Sequence, residues 1–247
     1  MSARRYSLVL PAAGRGKRLG AATPKQYLKI AGASLIEWAL KPFLEDMRCE
    51  HAVVALSAGD EYWPTVRGSW SRSVHEVQGG AERSDSVLAA LQHLKEIGMA
   101  DEEWVLVHDA ARPCVSAGEI AALCEAVWHM TTQNADISGG LLALPLADTV
   151  KRGVLCEGQV LSEQTQSREG LWRALTPQMF RLGDLWRALE AARETGRTPT
   201  DDAQAMEWQG AKALLVAGEA TNIKVTTQSD LALIEGVLSA RKRSARS

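Results

Sequence analysis

The residues best suited to chemistry lie near the N-terminus. Pro11-Ala12-Ala13-Gly14-Arg15-Gly16-Lys17-Arg18-Leu19-Gly20, then Pro24-Lys25, places three glycines and four basic side chains within fifteen residues, directly after the apolar run Leu8-Val9-Leu10. A buried strand that empties into such a loop suits phosphate. Glycine brings backbone N–H groups close to an anion with no Cβ in the way, and Lys and Arg add full charges. The chemistry this suggests is nucleotidyl transfer. Two better-known glycine loops do not fit: a dinucleotide fingerprint requires Gly where Leu19 stands, and the Gly-Lys-Ser/Thr of a Walker A loop is absent here. The plainer alternative is a Gly-rich strand-to-helix turn with solvated basic side chains, against which Pro11 and the spaced Arg18 and Lys25 argue.

Ligands of open α/β sheets sit beyond the carboxyl ends of the strands, so polar residues just after apolar runs are the next candidates. After Val105-Leu106-Val107 comes His108-Asp109-Ala110-Ala111-Arg112-Pro113, a carboxylate and a guanidinium separated by two small residues. Asp109 can hold Mg²⁺, which takes one or two carboxylates together with phosphate oxygens; the alternative is a loop aspartate capping a turn. After residues 74–77 comes Gly79-Gly80-Ala81-Glu82-Arg83-Ser84-Asp85-Ser86, where two glycines leave room for a flat base and Ser86 can read its edge. In Asn222-Ile223-Lys224-Val225-Thr226 a Lys interrupts what reads as a strand of β-branched residues. A charge there is costly unless it reaches solvent or an anion, so Lys224 either lies on an edge or meets a phosphate.

Behind these loops, short apolar runs alternate with helical patterns. Strands are predicted at 7–10, 52–56, 74–77, 105–107, 140–144 and 213–216. Val87, Leu88, Leu91, Leu94 and Ile97 recur at helical spacing after the cap candidate Ser84, and Ile120, Leu123, Cys124, Val127 and Trp128 do so behind the capping box Ser116-x-x-Glu119. Further helices are predicted over 35–41, bent or ended by Pro42, over 182–193 and over 230–240. This alternation implies one α/β domain with a mainly parallel sheet covered on both faces. From Pro145 to Ser167 the rhythm breaks. Brief β-like pieces at Thr149-Val150 and Val160-Leu161 flank Gly153 and Gly158, which fits a protruding β-arm inserted at about 145–170.

Composition narrows the function further. At 247 residues with 28 basic and 30 acidic side chains, the formal charge of −2 supplies no global field for nucleic acid or an anionic membrane. No apolar run approaches the roughly 18 residues of a membrane span, and the stretch after Arg4-Arg5 is short for a secretory leader, so a cytoplasmic protein is expected. Four cysteines with no Cys-x-x-Cys pair, and five histidines with no His-x-x-x-His pair, argue against zinc and disulfides. Trp38, Trp128 and Trp186 fall at helix-packing positions. The basic stretch from Arg241 to the last residue, Ser247, reads as a solvated tail.

Taken together, Pro11-Ala-Ala-Gly-x-Gly-x-Arg18, Pro24-Lys25-Gln26, Gly79-Gly80, Val107-His108-Asp109-Ala110-Ala111-Arg112-Pro113, Leu175-Thr176-Pro177-Gln178, Thr200-Asp201-Asp202-Ala203 and Ile223-Lys224-Val225-Thr226 resemble the 2-C-methyl-D-erythritol 4-phosphate cytidylyltransferase family over nearly the whole chain. The resemblance implies a Rossmann-like fold, CTP and a polyol phosphate as substrates, Mg²⁺ as cofactor, and a homodimer with exchanged arms. Carried over by motif, Arg18 and Lys25 would stabilise the transition state, while Arg168 and Lys224 would grip the phosphate of the nucleophile. Asp109 would face metal and substrate, and Thr149 and Arg112 would seat the methylerythritol phosphate. Ala12, Ala13, Gly80 and Ser86 would enclose cytosine, with Gly14, Gly16 and Ala110 completing the substrate contacts. Thr149 and Arg168 would act in the neighbouring subunit. Ser167, Leu175 and Ala81 depart from the family pattern, which has Asp, Gln and a more polar residue there. Three alternatives stay open: a cytidylyltransferase for another polyol phosphate such as ribitol 5-phosphate, a sugar-1-phosphate nucleotidyltransferase, and a non-catalytic nucleotide-binding subunit.

Overall fold

A computed structural model describes residues 4–14, 23–68, 70 and 72–244. In chain order the elements are β1 (Tyr6–Pro11), the two-residue strands β2 (Lys29–Ile30) and β3 (Ala33–Ser34), α1 (Leu35–Leu44), β4 (Cys49–Leu56), β5 (His75–Gln78), α2 (Arg83–Glu96), β6 (Trp104–Val107) and α3 (Ala117–Gln133). They continue with β7 (Ile137–Pro145), β8 (Val150–Cys156), β9 (Gln159–Gln166), β10 (Trp172–Arg181), α4 (Leu182–Glu194), α5 (Asp202–Glu207), β11 (Lys212–Ala217) and α6 (Gln228–Ser244). Seven strands form one sheet in the order β11-β7-β10-β6-β1-β4-β5. Only β10 runs antiparallel to its neighbours. The architecture is Rossmann-like α/β.

The continuous apolar runs become strands because both faces of the sheet are covered. Leu8, Leu10, Val54 and Leu106 pack with α1 and α3, whereas Val9, Val53, Val105 and Val107 pack with α2, α4 and α5. Each such side chain contributes roughly 1.5–3 kcal/mol on burial, which explains why runs with no polar alternation are the most legible strands. A third cluster, Ile30, Leu35, Cys114, Val225, Ile234 and Leu238, fastens α6 over the β2–β3 turn. Gly139 is required by a close approach: a Cβ there would lie 2.2 Å from the Met179 carbonyl oxygen and 2.4 Å from the Phe180 ring on β10.

Several expectations are corrected. The central strand β10 was not predicted, and its Pro177 explains why: Pro lacks the ladder N–H, and here it falls in the irregular stretch between the Ala174–Ala143 and Gln178–Leu141 pairs. Pro42 does not end α1, which continues through the buried Phe43 and Leu44. Glu82, not Ser84, caps α2, and the Asp85 carboxylate accepts from the Glu82 N–H at 3.0 Å. Asn222 to Thr226 joins no strand; the Val225 N–H donates to the Ala111 carbonyl. The segment expected to form an arm folds as the β8–β9 hairpin, which pairs with neither of the other sheets. Its turn places Glu157 and Gly158 at φ of 50° and 81°, as a two-residue hairpin turn of the right twist demands.

Candidate active site

Three parallel strands deliver their following loops to one place. Beyond β1 lie Ala12, Ala13 and Gly14, beyond β5 the Gly79-Gly80 turn into α2, and beyond β6 the His108 to Pro113 loop. With Lys25 and Lys224 they line a cleft of about 160 Å³, which also takes in Gln26, Arg83, Ser86, Asp109 and Ala110. Residues 25 and 224 come together because the Lys25 Nζ reaches the Val225 carbonyl, at 3.5 Å. Gln26, buried, donates from Nε2 to the Ala12 carbonyl at 2.8 Å and so ties the far end of the basic loop to its start.

Asp109 is the electrostatic centre. Its Oδ1 accepts from Arg83 Nε at 2.9 Å, and its Oδ2 lies 2.8 Å from Lys224 Nζ and 3.7 Å from Arg112 Nε. Burial pushes the carboxyl up, but Arg83, Lys224 and Arg112 outweigh it and hold Asp109 well below the usual carboxylate range. Arg112 is itself buried and donates from Nη1 to the Asn222 carbonyl at 2.8 Å, linking the Asp109 loop to the Lys224 segment.

The Asp109 backbone is held by a chain whose proton positions follow from its ends. The Arg112 carbonyl can only accept, so His108 Nε2, 3.0 Å away, carries the hydrogen and Nδ1 is bare. Thr176 therefore donates its hydroxyl to His108 Nδ1 at 2.8 Å, and its Oγ1 accepts the Asp109 N–H at 3.1 Å. His108 is neutral. Its burial pushes the imidazole down to about 4.

On the opposite wall, Ser86 is buried and its Oγ accepts from the Gly80 N–H at 3.2 Å while donating to the Glu82 carbonyl at 3.3 Å. In this arrangement the hydroxyl shapes the glycine turn. Thr149 and Arg168 stand exposed on the segments flanking the arm and do not line the cleft. Gly16 and Arg18 lie outside the described residues. Sequence reasoning missed Arg83 and Asp202. Arg83 reaches Asp202 with Nη1 at 3.1 Å and Nη2 at 2.8 Å, a pairing across 119 positions that leaves no local signal beyond a charged residue beside a flagged glycine turn.

Fold and cleft together define a nucleotidyltransferase-type α/β domain. The family model for 2-C-methyl-D-erythritol 4-phosphate cytidylyltransferase matches residues 6–240. The protein of that name from Vibrio atlanticus is 46% identical over 235 residues, covering 95% of each chain. Its counterpart from Pseudomonas paraeruginosa is 47% identical over 223 residues, 90% of this chain and 92% of that one. Among solved structures, a 4-diphosphocytidyl-2C-methyl-D-erythritol synthase superposes with a TM-score of 0.79 at 33% identity, covering 96% of this chain and 99% of the other. The Thermus thermophilus cytidylyltransferase gives 0.73 at 33% identity, covering 95% and 99%. The chain belongs to the 2-C-methyl-D-erythritol 4-phosphate cytidylyltransferase family.

Proposed function

We propose that this chain transfers CMP from CTP to 2-C-methyl-D-erythritol 4-phosphate, giving 4-diphosphocytidyl-2-C-methyl-D-erythritol and pyrophosphate for isoprenoid biosynthesis. One observation carries the reading: Lys25, Lys224 and Asp109, far apart in sequence, line one cleft beyond the strand ends of a chain in this family. A phosphate oxygen of the alcohol phosphate attacks the α-phosphorus of CTP, forming one P–O bond as the bridging α–β P–O bond breaks. Pyrophosphate leaves with the electron pair. The nucleophile is already an anion, so no proton has to be removed and no general base is required. The difficulty is bringing anions together and neutralising charge at phosphorus, which positioned cations do. Lys25 and Arg18 act at the triphosphate, and Lys224 meets the incoming phosphate. Ala12, Ala13, Gly14, Gly16, Gly80, Ser86 and Ala110 form the nucleotide side, and Arg112 braces the Asp109 loop.

A divalent cation fits this donor set in one mode. Among the described residues no group of three or more His, Cys, Asp or Glu side chains is arranged to hold a metal. Mg²⁺ usually takes one or two carboxylates and draws its other ligands from phosphates and water; Asp109, whose two oxygens are already met by Arg83 and Lys224, would leave most of that coordination to the phosphates. When bound, it would neutralise phosphate charge.

Arg168 and Thr149 are exposed near the arm, whose Leu155 and Val160 are 73% and 74% exposed. An apolar hairpin open to this extent supports a homodimer in which the arm and its flanks complete the neighbour's cleft. The functional test is pyrophosphate release with CTP and Mg²⁺ plus either methylerythritol phosphate or ribitol 5-phosphate. Turnover with the first is expected; preference for ribitol phosphate would transfer the reading to that polyol, and tight CTP binding without turnover would make the chain a binding subunit.

A further inference from the structure

We propose that Arg83, clamped by Asp202, is a positioning residue for the transfer reaction: it fixes the Asp109 carboxylate and, through it, the Lys224 ammonium where the incoming phosphate is met. This rests on the reading of the cleft given above.

All three guanidinium nitrogens of Arg83 are committed. Nε donates to Asp109 Oδ1 at 2.9 Å, and the two terminal nitrogens form a fork on Asp202 at 3.1 and 2.8 Å. A planar two-point fork fixes orientation as well as distance, which a single-point ammonium contact does not. Asp202 is fully buried in the first turn of α5, and that turn is itself anchored. Gln178 of β10 donates to Asp201 Oδ2 at 2.9 Å and accepts the Ala203 N–H at 2.8 Å. Position therefore passes from the middle of the sheet to α5, from α5 to Arg83, and from Arg83 to Asp109.

The consequence falls on Lys224. With Oδ1 held by Arg83 and the Asp109 backbone held by Thr176, Oδ2 is the oxygen presented to Lys224 at 2.8 Å. The Lys224 side chain is 40% exposed on a flexible stem, so this contact selects its place. Were Oδ1 released, the carboxylate could turn both oxygens onto Lys224 and withdraw the ammonium from the substrate. Arg83 itself is saturated by two carboxylates and offers little charge to a phosphate.

Replacing Arg83 alone leaves Asp202 buried without its partner and endangers the fold, so the informative variants are R83M/D202N, which removes both charges, and D202N, which loosens the fork from outside the cleft. Melting temperature, kcat, KM for each substrate and calorimetric binding of methylerythritol phosphate without CTP are measured beside the wild type. A misplacement near 1 Å costs up to about 100-fold. The expected result is that folded R83M/D202N loses about 10- to 100-fold in kcat/KM for the alcohol phosphate, binds it more weakly, and keeps its KM for CTP. D202N is expected to show a smaller loss of the same kind together with a lowered melting temperature, because one Arg83 nitrogen then faces an amide N–H in place of an acceptor. Wild-type kinetics in D202N or in the folded double variant would overturn the proposal, as would an equal loss toward both substrates. A wild-type chain that releases no pyrophosphate would instead defeat the functional reading, and calorimetry on the same variants would still decide the positioning role.

Discussion

Acidification should expose His108 as a buried neutral imidazole that the fold cannot afford to protonate. The side chain has no solvent exposure, and burial holds its titration near pH 4 against about 6.5 in an unfolded chain. The sign follows from linkage. Between those two values the unfolded state binds a proton that the native state refuses, so the stability contribution is whole above about pH 6.5 and drains away as pH falls toward 4. A gap of about 2.5 units at about 1.4 kcal/mol each gives a loss of about 3 kcal/mol, of which about 2 is gone by pH 5. The geometry supplies the reason. A proton on Nδ1 would make Thr176 Oγ1 accept twice, from His108 and from the Asp109 N–H, and leave its own hydrogen without the acceptor it now has.

The assay is urea unfolding followed by tryptophan fluorescence from pH 7.5 to 4.5, on the wild type and on His108→Gln. The variant is expected to be less stable at pH 7.5 by about 1–3 kcal/mol, because a glutamine cannot keep both contacts. Its further loss on acidification to pH 4.5 should be smaller by about 2.5 kcal/mol, the part of the His108 contribution gone by that pH. His75 is also pushed down by burial and by its neighbours His93 and His51, with the same sign, but it is present in both proteins and cancels in the difference. Parallel curves for the two proteins would refute the reasoning.

Lys25→Ala and Lys224→Ala should each lower pyrophosphate release by about 100-fold or more, by analogy with removed transition-state donors, with little change in melting temperature. Mixing Lys25→Ala with Arg168→Ala protein should restore part of the activity if the arm flank serves the neighbouring subunit; no recovery in mixed dimers counts against exchange. Leu155→Asp should shift the assembly toward monomer in sedimentation, and an unchanged sedimentation profile would remove the hairpin from the interface. Gly139→Ala should cost about 1–3 kcal/mol in chemical denaturation, since its Cβ would meet a backbone oxygen at 2.2 Å that no flexible side chain can yield.

The parallel strands β1, β4 and β6 were legible because burial on both faces writes them as unbroken apolar runs, and Ser116-x-x-Glu119 announced α3 through a reciprocal cap now seen at 3.1 and 2.9 Å. The glycine loop, the Asp109 block and Lys224 were legible as local chemistry. What stayed hidden was whatever depends on pairing at a distance. β10 carries Thr, Pro and Gln in its buried middle, a pattern that local propensity reads as a turn. The six-residue α5 is too short to show a period, and so Asp202 stood in the sequence only as part of the Thr200-Asp201-Asp202-Ala203 block, with no role assigned to its buried carboxylate.

That hidden strand explains why the legible residues act together. β10 enters antiparallel beside β6, so Thr176 arrives next to the His108–Asp109 peptide and Gln178 arrives beneath α5. The Thr176 carbonyl also accepts Asn222 Nδ2 at 2.9 Å, two residues before Lys224. A parallel strand in that slot would present its carboxyl end to the cleft, whereas β10 enters from the cleft end, where its Thr176 side chain and carbonyl brace the loops that carry Asp109 and Lys224. The cations proposed to meet the phosphates are therefore set by a strand none of whose residues lines the cleft. Substitutions at Thr176 or Gln178 should accordingly disturb the placement of Asp109 and Lys224 before they disturb the sheet.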